Sequence, residues 1–258
     1  MPASQNQKRE TPVWKKKIRK LSARLAVGLT NRLLTLMRNR QDLRLEREEM
    51  RAMRISFSQF GEDLLLLSYF EKFDHRSGVY VDVGAFSPFL FSNTLLLHKL
   101  GWRGINVDFD EDKIKAFRQY RPHDHNVCAA VSDASRRMKI LKYSNAAVDS
   151  CVALGETTSV SACGERPSEI REIQTTTLSQ IIEASPYAGQ QIDYLNVDVE
   201  GLDLAVLKGL DFKKYRPTVI TAEALEDTSK TSLTAFLKAQ GYKLSSVAHI
   251  TLFFARQD

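Results

Sequence analysis

Short hydrophobic runs alternate with longer amphipathic segments along most of this chain. In Val79–Val83, β-branched and aromatic residues surround a single acid and predict a buried strand, which ends at Gly84. Leucines within residues 95–100 predict a helix on the far side of this turn. A second strand, Gly104–Val107, leads directly to Asp108. The unit is therefore a strand, a glycine turn, a helix and a second strand that ends at an acid.

The same alternation continues to the end of the chain. Such a pattern predicts an α/β fold with a mostly parallel, Rossmann-like sheet that is covered by helices on both faces. Residues 134–170 show little periodicity, and we expect them to form a strand or hairpin near 138–143 followed by a mobile loop. The other predicted elements are helices at 64–73, 111–120, 202–210 and 231–239, a helix that starts at Thr177, and strands at 126–131, 192–197, 218–222, 242–247 and 250–255.

The N-terminal segment has a different pattern. Apolar residues from Trp14 to Leu36 recur at steps of three and four and predict an amphipathic helix, with Lys and Arg crowded in its first turns. Two interpretations stay open: the basic helix lies on an anionic membrane surface, or it packs on its own domain or on a partner chain. We expect a basic helical extension and linker at residues 1–54 and a single domain at residues 55–258.

Charge is concentrated in this extension. The chain has 37 Lys and Arg and 31 Asp and Glu, for a net charge of +6. Residues 1–54 hold 15 of the basic residues and only 5 of the acids, so residues 55–258 are net negative. We therefore expect no nucleic acid partner for the domain.

The three cysteines, Cys128, Cys151 and Cys163, form neither an even disulfide set nor a closely spaced metal-binding pair. No apolar run is long enough to span a bilayer, and basic residues interrupt every candidate for a signal peptide. We expect a cytoplasmic protein, which contacts the membrane peripherally if the basic helix binds lipid.

The first unit suits a ligand that carries a ribose. Gly84 and Ala85 have little side chain and let a ligand approach the backbone, and Asp108 follows where an acid can accept hydrogen bonds from ribose hydroxyls. The glycine fingerprint of dinucleotide-binding enzymes is missing, because Phe86 and Pro88 stand in the turn in place of further glycines. A ligand with ribose and adenine but without a diphosphate fits better, and S-adenosylmethionine is the common one.

Four groups of residues, in order, resemble the motifs of the FkbM-type methyltransferases, a branch of the class I S-adenosylmethionine-dependent enzymes. Four motifs in the family's order are more specific than one glycine-rich turn. Phe86 and Phe89 depart from the polar or basic residues that are common in the family, and Phe109-Asp110 replaces a proline-containing pair. The resembling groups are Ser58–Asp63; Val81–Ala85 with Ser92–Thr94; Gly101–Asp108; and Asp198–Gly201 with the approach through Tyr215–Pro217 to Glu223.

The resemblance implies a seven-stranded sheet whose last strand is antiparallel, with the cofactor lying across the carboxyl ends of the first strands. By position, Asp108 should contact the ribose, and Ser132 and Asp133 should contact the adenine. The remaining cofactor-binding residues that the resemblance implies are Gln59, Asp82, Gly84, Ala85 and Asn93.

The resemblance also implies which residues carry out the chemistry. Asp198 follows the fourth predicted strand and is the best candidate for the base that removes a proton from the acceptor oxygen. Glu200 would orient the acceptor, and Glu223 emerges from the neighbouring strand. The same three carboxylates would alternatively bind a divalent cation, although we do not expect one, because the pattern lacks a full ligand set.

The function we expect is O-methylation of a hydroxyl on a sugar, a glycolipid or a related metabolite. A different class of function is a non-catalytic adenosyl-binding or scaffold protein that docks through its basic N-terminal helix. The acids Asp82, Asp108, Asp198 and Glu200 favour the enzyme. A nicotinamide oxidoreductase is disfavoured by Phe86 and Pro88.

Overall fold

The computed structural model describes residues 46–70, 77–143, 149–153 and 166–257. The chain divides into two units between Ile55 and Ser56. The described part of the first unit contains one short helix, α1 (Arg47–Ala52). The basic amphipathic helix predicted between Trp14 and Leu36 lies outside the described residues. No helix that the structure describes is long and apolar enough to cross a membrane.

The described part of the second unit contains two β-sheets and several helices. The strands, in chain order, are β1 (Val79–Val83), β2 (Arg103–Asp108), β3 (His125–Cys128), β4 (Ala130–Ser132), β5 (Arg137–Lys142), β6 (Ser150–Ala153), β7 (Glu169–Thr177), β8 (Tyr194–Val197), β9 (Val219–Glu223), β10 (Tyr242–Ala248) and β11 (Thr251–Arg256). The helices are α2 (Glu62–Phe70), α3 (Leu95–Lys99), α4 (Glu111–Tyr120), α5 (Leu178–Glu183), α6 (Asp203–Lys208) and α7 (Asp227–Ala239).

The larger sheet has seven strands in the order β10-β11-β9-β8-β1-β2-β3. Strands β9, β8, β1, β2 and β3 pair in parallel. The last strand, β11, is antiparallel to both of its neighbours, β9 and β10. This topology confirms the prediction of a mostly parallel seven-stranded sheet with an antiparallel last strand. It places β1 and β8 side by side although they are separated by more than 100 residues of chain.

Both faces of the larger sheet are covered by helices. On β1, Val81 and Val83 belong to one hydrophobic cluster with residues of α5, α6 and α7, whereas Tyr80 belongs to another with residues of α2 and α3. Neighbouring residues of a strand point to opposite faces, so the two clusters lie on opposite sides of the sheet. Strands β8, β9 and β11 divide their residues between the clusters in the same way. The central strands are therefore buried on both sides, and the polar residues within them, Asp82, Asn106, Asn196 and Thr221, are buried as well.

The smaller sheet has four strands in the order β4-β7-β5-β6. The predicted single strand at 126–131 is wrong at its centre, because the backbone N–H of Ala129 bonds to the carbonyl of Asp108 and the chain then leaves the larger sheet. Residues before this point form β3, and residues after it form β4, which pairs with β7. The strand predicted near 138–143 corresponds to β5. Strand β7 is not predicted by the sequence pattern, because Ile170 and Ile173 are its only aliphatic residues and do not alternate with period two.

Candidate functional site

An open cavity lies at the carboxyl ends of the parallel strands, where several strand-terminal acids come together. Its volume is about 980 Å³, including the open solvent within it. Parallel strands bring residues from distant parts of the chain to one edge of the sheet. The predicted site residues that line the cavity are Gln59, Asp82, Gly84, Ala85, Asn93, Asp108, Asp198, Glu200 and Glu223.

Gly84 lies where the turn after β1 packs closely on the turn after β8. Its φ of +80° lies in the left-handed region, which glycine adopts without steric cost. A Cβ atom at this position would lie 1.7 Å from the carbonyl oxygen of Asp198, a distance that no side chain tolerates. The backbone N–H of Asp198 also donates to the carbonyl of Val83 (3.0 Å). The absence of a side chain at Gly84 therefore fixes where Asp198 enters the cavity.

Asp82 is buried at the centre of a polar network beneath the cavity. Its carboxylate accepts hydrogen bonds from the Thr94 hydroxyl (2.7 Å) and from the Asn196 amide (2.9 Å). The Asn93 amide donates to the side-chain oxygen of Asn196 (3.1 Å). Burial raises the pKa of Asp82, and the bonds from Thr94 and Asn196 oppose that shift. Asp82 on β1 is thus hydrogen-bonded to β8 through Asn196 and to the segment before α3 through Thr94.

Asp108 lies at the end of β2 and faces the same cavity. Its carboxylate accepts backbone N–H groups from Phe86 (3.2 Å) and Asp110 (2.8 Å). The Lys113 ammonium lies 3.8 Å from it, and 3.7 Å from the carboxylate of Asp149. Burial raises the pKa of Asp108, and the charge of Lys113 is the largest opposing effect. Lys113 and Asp149 line the cavity, although no sequence pattern marks them.

Asp198, Glu200 and Glu223 form a carboxylate cluster at the carboxyl ends of β8 and β9. One carboxylate oxygen from each residue lies within 4.8 Å of the others. Asp198 is exposed to the cavity, yet protein atoms surround it on its other sides. That burial and the negative charges of Glu223 and Glu200 raise its pKa well above the ordinary aspartate value.

The pKa values of the other two acids of the cluster, Glu223 and Glu200, are also raised. Burial raises the pKa of Glu223 to about 7, and the charges of Glu200 and Asp203 add to the shift. Burial also raises the pKa of Glu200. Behind the cluster, burial raises the pKa of Asp203 to about 8, while its carboxylate accepts the backbone N–H of Glu223 (2.9 Å). At neutral pH the cluster therefore favours holding a proton among its members, a property expected of a functional site.

Backbone conformation directs Glu200 into this cluster. Its φ is +51°, which is uncommon for a residue with a side chain, and Gly201 follows with a φ of +95°. Strained conformations of this kind persist where the surrounding structure enforces them, and they concentrate at functional sites. The turn after β8 is therefore shaped to present two acids, Asp198 and Glu200, to one cavity.

Ser132 and Asp133 are placed differently from the other predicted residues, since neither lines the cavity. The Ser132 hydroxyl donates to the carboxylate of Asp133 (3.0 Å), and Asp133 forms an ion pair with Arg136 (2.7 Å). The adjoining cavity wall is apolar. It is formed by Phe109, Ala129, Ala130, Val131 and Leu202.

Arg121 is a buried residue that hydrogen-bonds to the segment between β1 and α3, a role that the sequence does not reveal. It is 1% exposed and donates to the carbonyl of Pro88 (3.0 Å) and to the hydroxyls of Ser92 and Thr94 (2.9 Å each). In the sequence, Arg121 only precedes a proline that ends a helix. Its partners lie about 30 positions earlier, so no local pattern could identify it.

Comparison with known proteins was made against families, curated sequences and solved structures. A family model described as the methyltransferase FkbM domain matches residues 82–244. No curated protein and no solved structure matches the chain. The matched segment covers more than half of the chain and contains Asp82, Asp108, Asp198 and Glu223. The chain therefore belongs to the FkbM methyltransferase family.

Proposed function

We propose that this protein transfers a methyl group from S-adenosylmethionine to a hydroxyl oxygen of a sugar, a glycolipid or a related metabolite. Family membership supports methyl transfer, and S-adenosylmethionine is the usual donor for such enzymes. One observation carries the rest of the proposal. A single cavity contains Asp108, an acid placed to bind ribose, and the carboxylate cluster, which is suited to accept a proton.

The residues around Asp108 fit the nucleoside part of the donor. A carboxylate at the end of the second strand can accept hydrogen bonds from both ribose hydroxyls. The apolar wall formed by Ala129, Ala130 and Val131 suits the flat face of a nucleobase. Phe86, with its large side chain at the cavity surface, occupies space that a diphosphate-binding glycine turn would leave open. The lining thus favours adenosine without a diphosphate.

The carboxylate cluster fits the acceptor side of the reaction. When bound, S-adenosylmethionine supplies a methyl group that its sulfonium already activates, so the protein has to position the acceptor and remove a proton. Asp198 accepts the hydroxyl proton in its ionised form, in which its raised pKa makes it a stronger base than an ordinary aspartate. Glu200 orients the acceptor molecule by accepting a hydrogen bond from a neighbouring hydroxyl, since the reacting hydroxyl gives its only proton to Asp198. Glu223 adjoins Asp198 and stabilises its protonated form.

A divalent cation is the alternative way to use the same three carboxylates. Hard cations such as Mg²⁺ prefer oxygen ligands, and a bound cation would lower the pKa of the acceptor hydroxyl. We propose the cluster without a metal, because the three carboxylates are not a full ligand set and water would have to supply the remaining oxygen ligands of Mg²⁺. Chelation distinguishes the two arrangements.

The remaining partners follow from charge. We also propose that the basic residues within 1–54 contact an anionic membrane. Each cation near such a surface contributes about 1 kcal/mol to the free energy of binding. We propose no nucleic acid partner, since residues 55–258 are net negative.

Asp108→Ala should weaken binding of S-adenosylhomocysteine about tenfold or more. The ribose hydroxyls lose a charged acceptor, and each such hydrogen bond contributes about 1.5 to 3 kcal/mol. Isothermal titration calorimetry measures the dissociation constant, and Asp112→Ala, an exposed acid in the first turn of α4, is the matched control. An unchanged affinity in a folded Asp108→Ala variant would mean that the ribose is held elsewhere. Tighter binding of NAD than of S-adenosylhomocysteine would overturn the proposed donor.

Crowding of the carboxylates predicts a pH dependence of stability. The folded protein holds protons on Glu223 at pH values where the unfolded chain releases them, so this residue's contribution to the free energy of unfolding falls as pH rises from about 4.5 through 7. Glu223→Gln should reduce the loss of stability between pH 5 and pH 8 by something on the order of 1 kcal/mol, after allowance for screening by solvent.

Urea unfolding at the two pH values, with a chelator present, tests this expectation. Glu172→Gln, which changes an exposed glutamate on β7, should keep the wild-type pH dependence. Equal pH dependence in Glu223→Gln and the wild type would show that the cluster does not retain a proton through Glu223.

Asp198→Asn should keep the fold and the affinity for S-adenosylhomocysteine but should lose turnover. The amide preserves the shape of the side chain and cannot accept the proton, and general-base catalysis contributes roughly 10²- to 10⁴-fold. The measurement is transfer of a labelled methyl group to glycan and lipid fractions of a cell extract. Loss of wild-type activity on chelation, with recovery on adding Mg²⁺ or Mn²⁺, would assign the cluster to a metal. Turnover of Asp198→Asn at the wild-type rate would exclude both roles for Asp198.

A further inference from the structure

The loop between β1 and α3 is unusually apolar for an exposed segment. From Ala85 to Phe91 it contains no charged residue. Phe89 is 48% exposed, Leu90 is 62% exposed and Phe91 is 54% exposed. Large contiguous apolar surface on a soluble domain marks a place where another molecule binds. We call residues Phe86–Phe91 the aromatic loop.

The aromatic loop is held in place by hydrogen bonds within it and just beyond its C-terminal end. Arg121 donates to the carbonyl of Pro88, and the backbone N–H of Ser92 donates to the carbonyl of Phe57 (3.1 Å). Inside the loop, the Ser87 hydroxyl accepts the backbone N–H groups of Phe89 and Leu90 (3.2 Å each). The exposure of the aromatic loop is therefore a property of a fixed structure.

Two phenylalanines of the loop adopt unfavourable backbone conformations. Phe86 has a φ of +47° and Phe91 a φ of +54°, in the left-handed region that residues with a bulky side chain rarely occupy. Their ring centroids lie 6.2 Å apart with the planes inclined by 18°, so the two rings are stacked. The surrounding structure must enforce both conformations, as it does at ligand-binding sites.

The same two rings line the cavity that contains the carboxylate cluster and Asp108. Phe86 also lies beneath the Lys113 ammonium, which is 5.1 Å from its ring centroid. Outside the cavity, Phe89 packs edge-to-face on Tyr120 at 4.5 Å between centroids. The aromatic loop therefore places two rings inside the cavity, Phe86 and Phe91, and a third, Phe89, outside it.

We propose that the methyl acceptor is amphipathic and that its apolar portion packs on Phe86 and Phe91 while its hydroxyl faces the carboxylate cluster. This inference rests on the proposed function, which supplies the acceptor and its hydroxyl. A freely soluble sugar would leave the stacked rings exposed to water, whereas an alkyl or ring system attached to the acceptor removes apolar surface from water. Aromatic side chains with a few polar groups opposite them are the usual lining of a site for such a molecule.

A bilayer surface is the other partner that an exposed aromatic loop fits. Phe86 and Phe91, the two residues with enforced conformations, line the cavity, which a flat bilayer does not enter. Phe89, Leu90 and the exposed part of Phe91 are the side chains that a bilayer would contact, so a bilayer does not account for Phe86 inside the cavity. The apolar portion of a single acceptor molecule accounts for both rings that line the cavity, Phe86 and Phe91, and we therefore favour it over a bilayer.

Alkyl β-D-glucosides test the inference, because the series varies the apolar portion while the hydroxyl groups stay constant. The full chain, saturated with S-adenosylhomocysteine, is titrated with methyl, butyl and hexyl glucoside below their micelle concentrations. Hexyl glucoside should bind at least about tenfold more tightly than methyl glucoside, since each fully buried methylene contributes up to about fourfold. Phe91→Asn should remove this dependence on chain length, and asparagine tolerates the positive φ at that position.

Ile170→Asn changes a side chain on β7 that is 58% exposed, and it should keep the wild-type dependence on chain length. Equal affinity for all glucosides, no binding of any of them, or a wild-type dependence in Phe91→Asn would overturn the inference. Sedimentation with phosphatidylcholine vesicles separates the two partners: vesicle binding that Leu90→Ser abolishes, without dependence on chain length in solution, would assign the loop to a bilayer. Failure to bind S-adenosylhomocysteine would instead contradict the proposed function.

Discussion

The close approach of Gly84 to the backbone of Asp198 is the constraint on which the candidate site depends. Two parallel strands that are adjacent in the sheet, β1 and β8, end at the same level, and their following turns have to pass each other. They can do so because Gly84 has no Cβ and takes a positive φ. Asp198 and Asp108 therefore line the same cavity, although 90 residues of chain separate the two acids.

The electrostatics of the cavity follow from this packing. On one side, the single positive charge of Lys113 partly offsets the charges of Asp108 and Asp149, and it also opposes the rise in the pKa of Glu200. On the other side, Asp198, Glu200 and Glu223 crowd together, and the pKa values of all three are raised. A nucleoside and an acceptor therefore meet different surroundings in one cavity. The surroundings of Asp108 favour a ligand that donates hydrogen bonds to its carboxylate. The carboxylate cluster favours a group that gives up a proton.

The sequence predicts the strands and their terminal acids because these features are local. A β-branched run that ends at a glycine or an acid marks the carboxyl end of β1 or β8, and parallel pairing then brings such ends together. Features that depend on distant contacts escape such an analysis. Arg121 bonds to residues about 30 positions away, and β7 becomes a strand only by pairing with β4 and β5.

The predicted adenine contact of Ser132 and Asp133 stays a prediction, and the structure shows the course of the chain at these two residues. Ser132 and Asp133 follow a predicted strand, as a cofactor-binding pair would, but the strand changes sheets at Ala129. This change carries the side chains of Ser132 and Asp133 towards Arg136 and leaves small apolar residues at the cavity.

Calorimetric binding of S-adenosylhomocysteine to Gly84→Ala and Gly189→Ala tests the central claim most directly. Both glycines have similar positive φ values, +80° and +74°, so both substitutions impose a similar backbone strain. An added Cβ meets the carbonyl of Asp198 at position 84 and nothing within 4 Å at position 189. Gly84→Ala should lose at least about tenfold in affinity, which corresponds to roughly 1.4 kcal/mol, relative to Gly189→Ala. Equal affinities in the two folded variants would contradict the account.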